Sequence, residues 1–197
     1  MLKAPKGAFW YDEAMESNVI IERAKPEDAK AVYDIQSQTW LDTYPNKELG
    51  ITVEDVRAAR GMDDQAVKAK KIARWRETIQ GQGDSRAVFV AKVDGTVVGF
   101  NAPFISEDGR GRPAALYLLP DFQGKSIGAM LFQNSLGFLG ERDLYLHVAS
   151  YNHRTINFYK KFGFTEVGPV DAGDEVAALP SGAIIPEIEM VRPKAQE

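Results

Sequence analysis

The chain has 197 residues, of which 24 are Lys or Arg and 28 are Asp or Glu, so the formal net charge at pH 7 is −4. It contains no Cys and two His, which excludes disulfides, thiolate zinc sites, thiol nucleophiles and His-rich metal centres, and no metal is expected. The mild acidity argues against a nucleic-acid partner. No apolar run approaches the roughly 18 residues that span a bilayer, and no secretory signal is apparent. We therefore expect a cytoplasmic protein without a membrane partner.

The predicted elements begin after an aperiodic segment, residues 1–18, which contains three consecutive aromatic residues. We interpret this segment as an arm that lies over the domain, because free tails seldom carry such clusters. The domain is predicted at 19–191, followed by a tail at 192–197. Its first half is predicted to contain a strand at 18–23, a helix from Pro26 that ends before Pro45, and helical segments from a capping box at Thr52 and Asp55 to Ile79.

The clearest local signal is a β-hairpin. Apolar runs at 87–93 and 96–100 flank Asp94-Gly95, a dipeptide that readily supplies the positive φ angles of a tight turn. A glycine-rich loop at 109–112 follows. The remaining pattern predicts a strand at 114–119, a helix at 125–139, a strand at 144–149, a short helix at 153–162 and two closing strands between 167 and 191. This order is typical of an α/β fold whose sheet is partly antiparallel and partly parallel.

The segment after the predicted strand at 114–119 has the features of an anion site. The strand ends at Pro120, a short loop follows, and a helix begins at once. A helix start offers unpaired N–H groups and partial positive charge, and small residues would let a phosphate approach the backbone. Gln123 could orient the loop and Lys125 could add charge. The alternative is a plain strand–loop–helix connection, in which the glycines only cap and pack.

Two motifs in this region resemble the GNAT N-acetyltransferases. Residues Gln123 to Gly128 are similar to the acetyl-CoA loop of that family, Gln/Arg-x-x-Gly-x-Gly/Ala, with Ser126 where the family usually has glycine. Residues Asn152 to Tyr159, followed by Gly163-Phe164, are similar to the family segment Asn-x-x-Ala-x-x-Phe-Tyr…Gly-Phe. The resemblance implies a GNAT fold: a central mixed, mostly antiparallel sheet with a parallel, splayed strand pair, flanked by helices.

The resemblance also implies how acetyl-CoA would bind as a co-substrate. The pantetheine arm would pair with the backbone of Leu118 and Leu119. Asn152 would contact the cofactor arm or cap its helix, and Phe158 would pack near the cofactor or fill the core. The pyrophosphate would lie on the backbone amides of Gly124, Lys125, Ser126, Ile127, Gly128 and Ala129, next to Gln123.

The implied reaction is direct attack of a primary amine on the thioester, since no Cys is present to carry the acyl group. Tyr159, which would also line the cofactor site, is the predicted general acid that protonates the CoA thiolate. The general base stays open among Glu107, Asp108, His147 and ordered water, and His147 could equally be a satisfied core histidine. A non-catalytic acyl-CoA-binding regulatory module is the alternative function.

The acceptor would enter over two loops. The first carries Trp40, Asp42 and Tyr44 to Glu48, and Trp40 and Tyr44 are the predicted substrate residues. The second carries Asp171, Asp174 and Glu175, whose carboxylates would favour a cationic amine or simply be solvated. The acceptor is a small-molecule amine or a protein amino group, and the sequence leaves open whether the chain forms a homodimer.

Overall fold

The structure, a computed structural model, describes residues 18–170 and 179–195. The predicted arm at 1–18, apart from its last residue, and the loop residues Asp171, Asp174 and Glu175 lie outside the described residues. The helices are α1 (Ala29–Thr43), α2 (Val53–Arg60), α3 (Gln65–Gln80), α4 (Ile127–Leu139) and α5 (His153–Lys160). The strands are β1 (Val19–Arg23), β2 (Phe89–Val93), β3 (Thr96–Asn101), β4 (Phe104–Ile105), β5 (Gly111–Arg112), β6 (Tyr117–Leu118), β7 (Leu144–Ala149), β8 (Thr165–Pro169) and β9 (Glu187–Arg192).

The local sequence signals correspond to observed elements. Asp94 and Gly95 have φ of 49° and 81° and join β2 to β3 in a tight turn, as the dipeptide predicts. The amide of Asp55 donates to Thr52 Oγ1 at 3.0 Å and the amide of Thr52 donates to Asp55 Oδ2 at 3.1 Å, which completes the capping box at the start of α2. The first helix is preceded by a 3₁₀ turn at Pro26–Asp28.

The strands form two sheets that share one segment of chain. The first has the order β1-β2-β3-β6 and the second β4-β5-β7-β9-β8. Strands β5 and β6 are the two ends of this segment: Gly111 pairs parallel with Leu144 of β7, whereas Tyr117 and Leu118 pair antiparallel with β3. The chain therefore leaves one sheet for the other, and β6 and β7 diverge. This arrangement confirms the predicted mixed sheet with a parallel, splayed pair.

The predicted continuous strand at 114–119 is wrong in its extent. Only Tyr117 and Leu118 are paired as a strand there, and the strand β5 lies in what the sequence suggested was a loop. Ala115 between them has a φ of 55°, a left-handed conformation that no extended strand contains. This turn of the backbone separates the two pairings, and the continuous apolar run at 114–119 gives no sign of it.

Helices cover both faces of the first sheet. Helices α1 and α3 pack on one face through buried residues that include Val32, Ile79 and Phe100. Helix α4 packs on the opposite face through Leu131 and also reaches the second sheet, where Phe132 joins a core with α5. No helix in the described parts of the chain is long and apolar enough to cross a membrane.

We expect Gly99→Ala to destabilise the junction between β3, β6 and α4. A Cβ at this position would lie 2.8 Å from the carbonyl oxygen of Tyr117 and 2.7 Å from Leu118 Cδ1. Since the backbone oxygen is fixed by sheet pairing, the overlap should lower the free energy of unfolding by about 1–3 kcal/mol, measured by urea denaturation.

Gly137→Ala is the matched control, because nothing lies within 4 Å of a Cβ added there in α4. It should leave stability unchanged or raise it by up to about 1 kcal/mol through the lower helix propensity of glycine. Equal stability of the two variants would contradict the close approach at Gly99.

Candidate active site

The gap between β6 and β7 exposes backbone groups of one residue, Leu118. The amide of Leu119 donates to the carbonyl of Val98 on β3 at 3.0 Å, and its carbonyl accepts from the amide of Phe122 at 3.0 Å. Because backbone groups alternate along a strand, the N–H and C=O of Leu118 face away from β3, toward the gap. Of the two predicted backbone contacts to the cofactor, the structure therefore brings Leu118 to the gap and does not bring Leu119.

The loop before α4 is held against this strand end. Gln123 donates from Nε2 to the carbonyl oxygen of Leu118 at 2.9 Å, so its side chain orients the loop. Gly124 has a φ of 79°, and nothing lies within 4 Å of a Cβ added there. Lys125 is exposed, with its ammonium 5.4 Å above the ring of Phe122. The loop thus combines an open surface with one mobile positive charge.

The start of α4 supplies unpaired amides beside this loop. The first helical hydrogen bond runs from the amide of Met130 to the carbonyl of Ser126, so the amides of residues 126–129 have no partner within the helix. The Ser126 side chain accepts no capping hydrogen bond. Helix α4 contains no charged residue, so the charges next to its start are those of its dipole, of Lys125 and of Asp121 in the preceding loop. These features fit the pyrophosphate of acetyl-CoA.

Two of the predicted cofactor residues have structural roles at α5. Asn152 accepts from the amide of Thr155 at 3.1 Å and caps the helix. Phe158 is half-buried and packs against Phe132 and Phe162, with ring centroids 5.5 and 5.0 Å apart. Cofactor contact by either residue remains a prediction.

Tyr159 extends from α5 into the core and is 6% exposed. Its ring packs against Phe132 and Phe164, with centroids 5.3 and 5.9 Å apart. Burial raises the pKa of its hydroxyl well above the usual value, and the nearby hydroxyl of Tyr117 raises it further. The phenol therefore keeps its proton throughout the physiological range and can act as a donor.

The predicted substrate residues Trp40 and Tyr44 lie together and join Tyr117. Trp40 donates from Nε1 to the Tyr117 hydroxyl at 2.9 Å, and its ring meets Tyr44 edge-on at 4.8 Å. Tyr151 donates to the carbonyl of Tyr44 at 2.9 Å. Burial raises the pKa of Tyr44, with smaller contributions from Tyr117, Glu187 and Tyr159, so these groups lie close together. We call Trp40, Tyr44 and Tyr117 the aromatic wall.

The sequence analysis did not identify Tyr117. It lies between leucines in an apolar run, and only the alternation of side chains across β6 turns it toward α1 while Leu118 faces α4. Trp40 reaches it from a position 77 residues earlier in the chain. No local signal indicates such a contact.

The base candidates named from the sequence do not fit that role. Asp108 and the exposed Glu107 lie in the turn between β4 and β5, and hydrogen bonds, chiefly from Arg110, lower the pKa of Asp108 to about 2. His147 Nδ1 lies 2.9 Å from Arg112 Nη2. Since a guanidinium can only donate, Nδ1 is the acceptor, and Nε2 faces Glu189 at 3.5 Å. His147 is therefore a satisfied histidine.

Glu187 is a base candidate that the sequence analysis missed. It begins β9, pairs with Ala149 of β7, and influences the hydroxyls of Tyr44 and Tyr151. Burial raises its pKa, although the neighbouring His147 and Arg112 partly oppose the shift. In the sequence it is one of two glutamates that alternate with apolar residues in a strand, so nothing marks it. Among the residues that the structure describes, no cluster of His, Cys, Asp and Glu could hold a metal.

Comparison with known proteins agrees with this geometry. The model of the acetyltransferase (GNAT) family matches residues 30–164. An uncharacterized N-acetyltransferase of Methanocaldococcus jannaschii is 34% identical over 119 residues, which cover 56% of this chain and 53% of that protein. The chain thus spans about half the length of this curated relative.

Solved structures share the fold. A GNAT-family acetyltransferase from Streptococcus pneumoniae superposes with a TM-score of 0.65 at 17% identity, covering 89% of this chain and 99% of that one. The PaiA N-acetyltransferase of Thermoplasma acidophilum, solved in complex with coenzyme A, has a TM-score of 0.58 at 18% identity, with coverage of 89% and 99%. At these identities the likeness establishes the fold.

We expect Ser126→Gly to stabilise the protein without weakening CoA binding. Ser126 has a φ of 61°, a conformation that costs a residue with a Cβ about 1–2 kcal/mol. Glycine avoids this strain, but its greater conformational entropy in the unfolded chain offsets part of the gain. The free energy of unfolding should rise by up to about 1 kcal/mol in urea denaturation. Calorimetric titration should give the same affinity for CoA, because the backbone amides remain.

Ser126→Ala separates the hydroxyl from the Cβ. Because the hydroxyl makes no capping hydrogen bond, alanine should match serine in stability. If alanine stabilised the protein as much as glycine, backbone strain would not be the cause.

Proposed function

Because this chain belongs to the GNAT acetyltransferase family, we propose that it transfers an acetyl group from acetyl-CoA to a primary amine. The observation that supports the proposal is a single gap between β6 and β7. The Leu118 backbone and the α4 amides lie at one side of it, and the buried, protonated Tyr159 lies near the aromatic wall. Binding, proton donation and acceptor contact can therefore occur around one point.

We propose that acetyl-CoA is held by the chain's backbone. The N–H and C=O of Leu118 would pair with the pantetheine amides, and the amides of residues 126–129 would bind the pyrophosphate. Gln123 orients the loop, and Lys125 adds a positive charge to it. When bound, acetyl-CoA supplies an activated thioester carbonyl.

The proposed chemistry is direct transfer. The neutral amine attacks the carbonyl carbon, so that a C–N bond forms and the C–S bond breaks. Tyr159 donates its proton to the departing sulfur, and Glu187 accepts the proton that the amine loses. An alkylammonium has a pKa near 10.4, so this proton must be removed at neutral pH. The raised pKa of Glu187 makes it a stronger base than an exposed glutamate.

Three expectations from the sequence remain predictions: a cytoplasmic location, the absence of a nucleic-acid partner and the possible homodimer. The acceptor is a small-molecule amine or a protein amino group.

Amine-dependent release of CoA tests the proposed reaction. Purified protein should bind acetyl-CoA in a calorimetric titration and release free thiol when a reactive amine is added. Tyr159→Phe should retain acetyl-CoA affinity but lower kcat about 10²-fold, because the sulfur then departs without a proton.

Tyr145→Phe is the control. Tyr145 is a half-buried tyrosine of β7 whose ring lies 4.1 Å from the Arg110 guanidinium. Removing its hydroxyl should leave kcat unchanged. Tight acetyl-CoA binding without thiol release from any amine would favour the regulatory module. Unaltered kcat in Tyr159→Phe would remove Tyr159 from the mechanism.

The role of Glu187 predicts a pH dependence. A base must be ionised to act, so kcat/KM should rise as the pH increases through the raised pKa of Glu187, with a midpoint above the ordinary value of 4.5. Glu187→Gln should abolish this rise of kcat/KM with pH and lower kcat about 10²-fold or more.

Glu189→Gln serves as the comparison, because Glu189 lies two residues along the same strand and faces His147 Nε2 at 3.5 Å. This variant should keep the rise of kcat/KM with pH and most of the activity. If kcat/KM of Glu187→Gln still rose with pH over the same range, the proton transfer would belong to another group.

A further inference from the structure

Arg60, at the end of α2, is a buried cation with no acidic partner among the residues that the structure describes. It is 8% exposed, and its guanidinium carbon lies 5.0 Å from the ring centroid of Trp40 and 5.6 Å from that of Tyr33. Its Nη2 donates to Gln36 Oε1 at 2.7 Å, while Nε has no hydrogen-bond partner. Within residues 18–170 and 179–195, no carboxylate oxygen lies within 4.0 Å of the guanidinium.

This arrangement is unfavourable unless an anion completes it. Burying a charge is costly when it is not fully paired, and the two aromatic rings offset only part of that cost. The one carbonyl that accepts from Arg60, in Gln36, is shared with Nε1 of Trp75 at 3.2 Å. Burial accordingly lowers the pKa of Arg60.

Two further cations lie on the neighbouring helix α3. Burial lowers the pKa of Lys71, and the positive charges of Arg60 and Arg74 lower it further. In the part of the chain that the structure describes, neither Lys71 nor Arg74 forms an ion pair. Positive charge is therefore concentrated here, in a chain whose net charge is −4.

The aromatic wall connects this charge to the proposed reaction centre. Trp40 lies beneath Arg60 and donates from Nε1 to the hydroxyl of Tyr117. The Tyr117 hydroxyl in turn raises the pKa of Tyr159. An anion bound by Arg60 would thus lie on one side of the aromatic wall, and the proposed acid Tyr159 would lie on the other side.

The phosphates of acetyl-CoA are not the anion that fits here. Their proposed site is the start of α4, which packs on the face of the first sheet opposite to α1 and α3. Arg60 packs on α1, on the other face. The anion therefore belongs to the second substrate.

We propose that the acceptor is an amine that also carries a carboxylate, and that Arg60 binds this carboxylate and determines specificity. The proposal rests on the proposed acetyl transfer and names its substrate class. Two sources have the required chemistry: the α-carboxylate of a free amino acid, and an acidic side chain next to a protein or peptide N-terminus. The guanidinium can bind either in a bidentate pair.

The test compares acceptors that differ only in the carboxylate. Free amino acids are assayed against their α-carboxamides, and peptide amides with N-terminal Asp are assayed against the same peptides with Asn. With the wild-type protein, kcat/KM should be at least about tenfold higher for the carboxylate member of one series. The series in which the carboxylate member is preferred shows whether the carboxylate comes from a free amino acid or from an acidic side chain at a peptide N-terminus.

Arg60→Met keeps the apolar stem and removes the charge. It should reduce kcat/KM for the carboxylate acceptor at least about tenfold more than for its amide partner. Because it removes an unpaired buried charge, it should not lower the midpoint of thermal unfolding. Arg57→Met is the control, since Arg57 lies one turn earlier on α2 and is exposed in an ion pair with Asp63; it should keep the wild-type preference.

A binding measurement separates this proposal from the proposed function. With CoA present, the N-acetyl derivatives of the same acceptors are titrated calorimetrically, so no turnover is needed. Tighter binding of the carboxylate derivatives, lost in Arg60→Met and kept in Arg57→Met, supports the proposal even if no acceptor is acetylated. Equal binding and turnover of carboxylates and amides would overturn it. If Arg60→Met lost stability, and lost activity equally on the carboxylate and the amide acceptor of a pair, Arg60 would have a structural role instead.

Discussion

The site depends on a limit of backbone pairing: one segment of chain cannot pair fully with two sheets that diverge. Gly111 pairs with β7 and Tyr117 and Leu118 pair with β3, so the backbone must turn between them, which it does at Ala115 with a φ of 55°. After that turn β6 has lost β7 as a neighbour, and the N–H and C=O of Leu118 have no strand on that side. The carbonyl accepts from Gln123 Nε2 at 2.9 Å instead, and the N–H faces the gap, where a ligand with amide groups can extend the ladder.

Helix α4 gives this gap its electrostatic character. Its apolar residues are buried against both sheets, with Leu131 on the first and Phe132 on the second, so its position is fixed by packing rather than by charge. The start of the helix then follows closely on the strand that borders the gap, because only Leu119 to Ser126 separate them. Unpaired amides and the positive end of the dipole are thereby directed at the same gap as the Leu118 backbone.

The sequence predicts those parts of the molecule that local chemistry determines. The hairpin at Asp94-Gly95, the capping box at Thr52 and the loop from Gln123 to Gly128 are each specified by neighbouring residues. Trp40 and Tyr44 were identified through family resemblance. Tyr117, Glu187 and Arg60 could not be found in this way, because each acquires its role from residues far away in the chain: Tyr117 from α1, Glu187 from β7, and Arg60 from the aromatic rings of α1 that pack against it.

Opposite charges at the two borders of the aromatic wall suggest how an acceptor is oriented. Glu187 influences Tyr44 from the side of β9, and Arg60 lies over Trp40 from the side of α2. An amine bound between them would direct its ammonium toward the carboxylate and its own carboxylate toward the guanidinium, since the reverse orientation places like charges together. Deprotonation by Glu187 would leave the nitrogen lone pair facing the carboxylate, and rotation about the C–N bond of the acceptor would turn it toward the thioester in the gap. The charge that selects the acceptor would therefore also align it, without any movement of the fold.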